Sequence, residues 1–127
     1  MPDGYHALRE ISITEAEFQA QVVELARILG WQVLHVRRSI GKGHRWTTTT
    51  SVTGWPDLFM WHPRNGVLAR ELKTDTGKLT ADQEEVLASL CAAGVDAGVW
   101  RPADFEEEIP STLSGEPTPY AAARGES

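Results

Sequence analysis

Apolar residues recur along the chain in two rhythms, and the switches between them mark out the elements. From Thr14 to Leu29, the residues Phe18, Val22, Leu25, Ala26 and Leu29 fall at helical spacing and form one stripe. Thr14 followed three residues later by Glu17 is a capping box, so a helix is predicted over 14–29, with Gly30 closing it as the C′ residue. Trp31 to Arg37 then alternates, with Trp31, Val33, His35 and Arg37 on one face, and predicts a first strand. Leu58–Trp61 and Val67–Lys73 predict two more strands, joined by the turn His62-Pro63-Arg64-Asn65-Gly66. Thr80 with Gln83 reads as a second capping box, opening a helix whose inward stripe is Gln83, Val86, Leu87 and Leu90 and which Gly94 ends. Ala97–Trp100 predicts a buried last strand, broken at Arg101-Pro102.

What lies between and beyond these elements is polar. Residues 1–13 read as a lead-in with little regular structure, and residues 14–109 as one domain. Ala103 to Ile109 suggests one short acidic helix, and the Pro-, Ser-, Thr- and Gly-rich stretch 110–127 a disordered acidic tail. Arg37 to Thr53 carries Arg37, Arg38, Lys42 and Arg45 with no acidic residue, together with glycines, Trp46 and a run of hydroxyls. Basic side chains beside flexible glycines suit contact with a phosphate backbone, and Trp46 suits stacking on an unpaired base. A solvated basic loop has the same composition.

The hairpin holds the chemistry. Pairing its strands symmetrically about Arg64 sets Asp57 opposite Glu71, where Cβ atoms lie roughly 4.5–5.5 Å apart. Glu71 and Lys73, two apart, leave the same face. A slip of one residue would send the carboxylates to opposite faces, so the expectation depends on the register. Two carboxylates that close repel unless a divalent cation lies between them, and hard oxygen ligands suit Mg²⁺ or Mn²⁺. Such an ion activates water and stabilises charge on a phosphodiester oxygen, while Lys73 adds a positive charge beside the scissile phosphate. The plainer reading is a strand-end Asp, a solvated Glu and a surface-paired Lys.

Gly54-Trp55-Pro56-Asp57-Leu58, then Glu71-Leu72-Lys73, then Thr80-Ala81-Asp82-Gln83 resemble the PD-(D/E)-x-K nuclease superfamily. The match is to its virus-type replication-repair nuclease branch (VRR-NUC), found in phages and bacteria, and runs from about Thr14 to Trp100. The resemblance implies an α/β fold with a restriction-endonuclease-like α-β-β-β-α-β core, a central mixed sheet flanked by helices. It implies metal-dependent cleavage of DNA, with Asp57, Glu71 and the backbone carbonyl of Leu72 holding Mg²⁺ or Mn²⁺. Small members act as homodimers on branched DNA such as Holliday junctions or flaps, in phage or bacterial replication, recombination or repair. The family places a Glu on the first helix near the metal, and Glu15 is the candidate, pointing inward while Glu17 serves the cap. An exposed acid favoured by the helix dipole is the alternative for Glu15. Gln83 is expected to bond a phosphate, the attacking water or Lys73, or else only to close its cap. Gly54 offers either close backbone approach to substrate or merely a turn. Lys78 is read as DNA-facing or solvated, His35 as structural or site-facing, and Trp55 and Trp61 as packing residues. A non-catalytic DNA-binding module retaining the fold, and a nuclease acting on RNA, are the rival functions.

Composition changes this picture little. At 127 residues, 41% hydrophobic and 24% charged, the chain is an ordinary single domain. Its net charge of −6 runs against DNA binding, yet Asp104 onward holds six acids against Arg124, leaving −1 over residues 1–103. No run approaches the ~20 apolar residues of a membrane span, and no signal-like h-region opens the chain. One cysteine, Cys91, permits no internal disulfide and no cysteine-based zinc cluster, so a cytoplasmic, reducing location is expected. Beside the Leu87–Leu90 stripe, Cys91 itself reads as a small buried hydrophobe.

Overall fold

Both capping boxes form. In the computed structural model, which describes residues 13–36, 38–40, 46–48 and 51–115, helix α1 spans Glu15–Ile28. At its start the Glu17 N–H donates to the Thr14 hydroxyl at 3.1 Å and the Thr14 N–H to the Glu17 carboxylate at 3.1 Å. These bonds hold the Glu17 carboxyl below its ordinary range, the Thr14 side chain contributing most. Gly30 follows the helix with φ +91°, as the C′ position requires.

The strands are β1 (Gln32–His35), β2 (Arg38–Ile40), β3 (Trp46–Thr48), β4 (Leu58–His62), β5 (Gly66–Leu72) and β6 (Asp96–Trp100). Helix α2 (Ala81–Ala92) joins β5 to β6, and helix α3 (Glu108–Leu113) follows a 3₁₀ turn at Pro102–Asp104. Strands β1, β4, β5 and β6 lie side by side in that order, antiparallel except for the parallel β5–β6 pair. This is the α-β-β-β-α-β core with a mixed sheet that the motif resemblance implied. Between its first two strands, β2 and β3 form a separate antiparallel ladder, Arg38 opposite Thr48 and Ile40 opposite Trp46. That ladder was not expected, since the stretch has no apolar alternation. Arg37, Lys42, Arg45 and residues 1–12 lie outside the described residues, as do the side chains of Arg38 and Trp46.

The two faces of the sheet differ. One carries Leu58, Met60, Leu68, Leu72 and Trp100, which pack with Phe18, Val22 and Ala26 of α1 and with Trp31. Arg70 lies on this face too, its guanidinium 4.8 Å from the centre of the Trp100 ring and 2.9 Å from Asp96. Helix α2 contacts β6 and covers the other face only over its β5–β6 half.

The expected disordered tail does not begin at Pro110. Ile109 and Leu113, one helical turn apart on α3, are fully buried in the main core. The Trp31 indole N–H donates to the Leu113 carbonyl at 2.8 Å and fastens the helix. Pro110 is tolerated because it sits in the first turn, where its missing N–H has no intrahelical partner to lose. The short helix also starts later than expected, at Glu108 rather than Ala103. Residues 116–127 lie outside the described residues. Leu113→Ala is expected to cost about 2–5 kcal/mol in urea unfolding, as for other buried leucines. A change below about 0.5 kcal/mol, normal for a surface site, would return α3 to the tail.

Candidate active site

The register about Arg64 is realised. Leu58 pairs with Arg70, Phe59 with Ala69, Met60 with Leu68, Trp61 with Val67 and His62 with Gly66. The turn is stiffened by His62, whose Nδ1 accepts from the N–H groups of Arg64 and Asn65 at 3.1 and 3.2 Å. Extended by one position, the same pairing sets Asp57 opposite Glu71.

Asp57 is clamped from both sides. Its carbonyl accepts from the Val36 N–H at 2.9 Å, tying it to the end of β1. Its carboxylate Oδ2 accepts from the Leu72 N–H at 2.9 Å, tying it to β5. Glu71 has no exposed surface, and Asp57 is 7% exposed. Burying a carboxylate costs several kcal/mol unless bonds and charge offset it. For Glu71 the offsets are visible: Gln83 Nε2 donates to Oε2 at 2.9 Å, and the Lys73 ammonium lies 3.6 Å from the same oxygen.

Gln83 therefore does two jobs. Its Oε1 accepts from the Thr80 N–H at 2.9 Å, completing the cap of α2, while its Nε2 turns to Glu71. Glu would serve the cap equally well but would set a second carboxylate against Glu71. Gln83→Glu is thus expected to lower stability at neutral pH by about 1–3 kcal/mol, the cost of an unmade buried bond. The loss should fade in acid as a carboxyl takes up a proton; an unchanged urea midpoint at pH 7 would contradict this.

Gly54 fixes where that helix begins. It has φ +89°, and a Cβ there would sit 2.5 Å from the Asp82 carbonyl carbon and 2.8 Å from the Gln83 nitrogen. Its bare α-carbon faces α2, so the close approach it allows is of helix to loop, which the sequence reading had not considered. Gly54→Ala is expected to cost more than about 1 kcal/mol through strain and clash; equal stability by urea titration would show the contact to be soft.

Beyond β5 the chain is held by a residue that the sequence reading passed over. Arg101 donates from Nη1 to the carbonyls of Thr74 at 2.6 Å and Gly77 at 2.7 Å, pinning the loop after Lys73. A Cβ on Gly77 would lie 3.5 Å from Lys73 Cδ, so this loop folds back along the lysine stem. Arg-Pro at a strand end signals a break, and nothing in its spacing signals the clamp.

Other candidates fall elsewhere. Glu15, expected to point inward, is exposed in the first turn of α1, where the helix dipole favours an acid. One turn on, Gln19 is the half-buried polar residue, bonded to the ring of His35 at the end of β1. Lys78 is exposed. Cys91, expected to be buried, is exposed as well, its thiol 3.2 Å from the Ala97 carbonyl. It lies past the apolar stripe, at the edge of α2 beside β6.

Among the described residues no group of three or more His, Cys, Asp and Glu side chains could hold a metal ion. A two-carboxylate centre nonetheless suits Mg²⁺ or Mn²⁺, since Mg²⁺ commonly takes one or two carboxylates and keeps several waters. Carboxylate oxygens are the hard donor type these ions prefer. Among the described residues no helix is long and apolar enough to cross a membrane.

A mixed four-stranded sheet with an acidic pair and a lysine at one end of its central hairpin defines a restriction-endonuclease-like core. The family model of the VRR-NUC domain matches residues 8–104, so the chain belongs to the VRR-NUC family, a nuclease-type domain that processes DNA. No curated protein and no solved structure matches it.

Proposed function

We propose that the protein is a metal-dependent deoxyribonuclease that hydrolyses phosphodiester bonds at Asp57, Glu71 and Lys73. The observation that carries this reading is the fully buried Glu71 carboxylate, 3.6 Å from the Lys73 ammonium and next to Leu72, whose N–H the Asp57 carboxylate accepts. A structural role alone gives a chain little reason to bury two facing carboxylates at a strand end. Asp57, Glu71 and the Leu72 carbonyl would hold Mg²⁺ or Mn²⁺, which when bound neutralises the acids and lowers the pKa of a water.

The remaining work falls to the chain. Asp57, fixed by Val36 and Leu72, keeps its carboxylate from turning away from Glu71. Gln83 fixes the rotamer of Glu71, so its second oxygen has a defined direction. Lys73 supplies positive charge where a phosphate oxygen gains negative charge during attack. Arg101 holds the loop that backs Lys73 and limits its side-chain freedom. The basic stretch at Arg37, Arg38, Lys42, Arg45 and Trp46 would grip the DNA backbone.

The family resemblance extends the reading to branched DNA, such as Holliday junctions or flaps, cut by a homodimer in phage or bacterial DNA metabolism. Incubation with junction, flap, duplex and single-stranded DNA should give Mg²⁺- or Mn²⁺-dependent cleavage that EDTA stops. Asp57→Ala and Glu71→Ala should abolish it. Lys73→Ala should slow it about 10²–10³-fold, and Gln83→Leu roughly 10–100-fold. DNA binding without cleavage under every metal would make the domain a binding module instead, and cleavage of RNA alone would move the substrate class.

A further inference from the structure

The part of this sheet face that α2 leaves bare lies on β1, β4 and the turn end of β5, while Ala69 and Glu71 of β5 are buried; three rows cross it. Strand register sets two of them as Leu34–Phe59–Ala69 and Gln32–Trp61–Val67, and one position past the paired residues Val36, Asp57 and Glu71 make the third, Asp57 bonded to Val36 and Leu72. The third is the carboxylate row. The first two are apolar apart from Gln32, and they run away from the site along β4. Leu34 is 53% exposed, Trp61 44% and Val67 42%, although strand side chains of this type are usually covered. The rings of Trp55, Phe59 and Trp61 form one chain on this face, centroids 6.0 and 6.4 Å apart. Trp55 and Phe59 stand on either side of Asp57 in sequence, so the aromatic row passes the acidic pair.

Two occupants suit an exposed apolar face, and area separates them. A stable dimer buries about 800 Å² on each partner. Leu34, Trp61 and Val67 offer on the order of 100 Å² each, well short of that. Nucleic-acid bases need less, since one ring can cover one base. Charge points the same way. Apart from Asp57 and Glu71 themselves, these three rows hold no acidic residue, although the whole chain carries −6. A phosphodiester backbone following the bases would meet no repulsion there.

We infer that the row Trp55–Phe59–Trp61, flanked by Leu34 and Val67, is a stacking platform for unpaired DNA bases beside the carboxylate pair. The inference rests on the nuclease reading for its choice of ligand and deepens it: the strand being cut is unpaired next to the scissile bond. Asp57 to Trp61 spans about 13 Å at strand rise, room for a short unpaired run. Paired bases are closed to such stacking, because their faces are already occupied by neighbours.

The test is equilibrium binding without metal, in EDTA, of a dye-labelled oligothymidine and of a blunt duplex of equal length, followed by anisotropy. The proteins are wild type, Trp61→Ala, Trp61→Phe and Glu71→Gln, each checked for folding by circular dichroism. Trp61→Ala should weaken oligothymidine binding about tenfold and duplex binding by less than twofold, with Trp61→Phe restoring most of the loss. Equal affinity of wild type and Trp61→Ala for oligothymidine would overturn the platform. So would a shift from dimer to monomer in sedimentation for Trp61→Ala with binding unchanged, which would make the face a contact between copies. The two readings fail separately: Trp61-dependent binding without any cleavage would sink only the nuclease. Cleavage lost in Glu71→Gln but binding indifferent to Trp61 would sink only the platform.

Discussion

One hydrogen bond, from the amide of Gln83 to the buried carboxylate of Glu71, joins the two halves on which the site depends. Glu71 lies inside the sheet, and Gln83 lies in the first turn of the helix that crosses from β5 to β6. A carboxylate without solvent must be surrounded by donors or positive charge, or it will not stay ionised. The helix start is therefore set against the strand end within hydrogen-bond reach. Gly54 makes this possible from the other side, since any side chain there would push the helix away. Cap, glycine and carboxylate form one constraint.

The arrangement gathers its parts from distant places in the chain yet uses short-range devices for each. Asp57 is held by a backbone bond from β1 and a side-chain bond to β5; Lys73 is backed by a loop that Arg101 holds from beyond β6. The chain just past β1, strand β5 and the chain just past β6 thus each fix one feature of the site.

The hairpin and its register were legible because Pro63, Asn65 and Gly66 mark the turn and the alternation on either side admits one symmetric pairing. Both helix starts were legible because a Thr with Glu or Gln three residues on is a local signal that needs no tertiary context. Less local features were not. The β2–β3 ladder lies in a stretch of basic and hydroxyl residues, which pattern cannot distinguish from a loop. Helix α3 was masked by Pro110 and its Ser and Thr neighbours, although Ile109 and Leu113 stood at helical spacing. Glu15 and Cys91 were misplaced for one reason: a helix stripe shows which residues face the core but not how wide the covered sector is. The second role of Gln83 was visible only in part, since a capping box explains its position without explaining why it is not Glu.

Helix α3 ends beside the hairpin turn: a Cβ on Gly115 would touch the Asn65 side chain, and Asn65 reaches the Leu113 carbonyl at 3.5 Å. That turn is the opposite end of the hairpin from Asp57 and Glu71, about 20 Å away at strand rise. Gly115 itself thereby sits at the pole remote from the acidic pair. An affinity handle or fluorophore attached there would leave the approach to the carboxylates open, whereas the polypeptide entering at Ile13 feeds straight into the helix that carries Gln19.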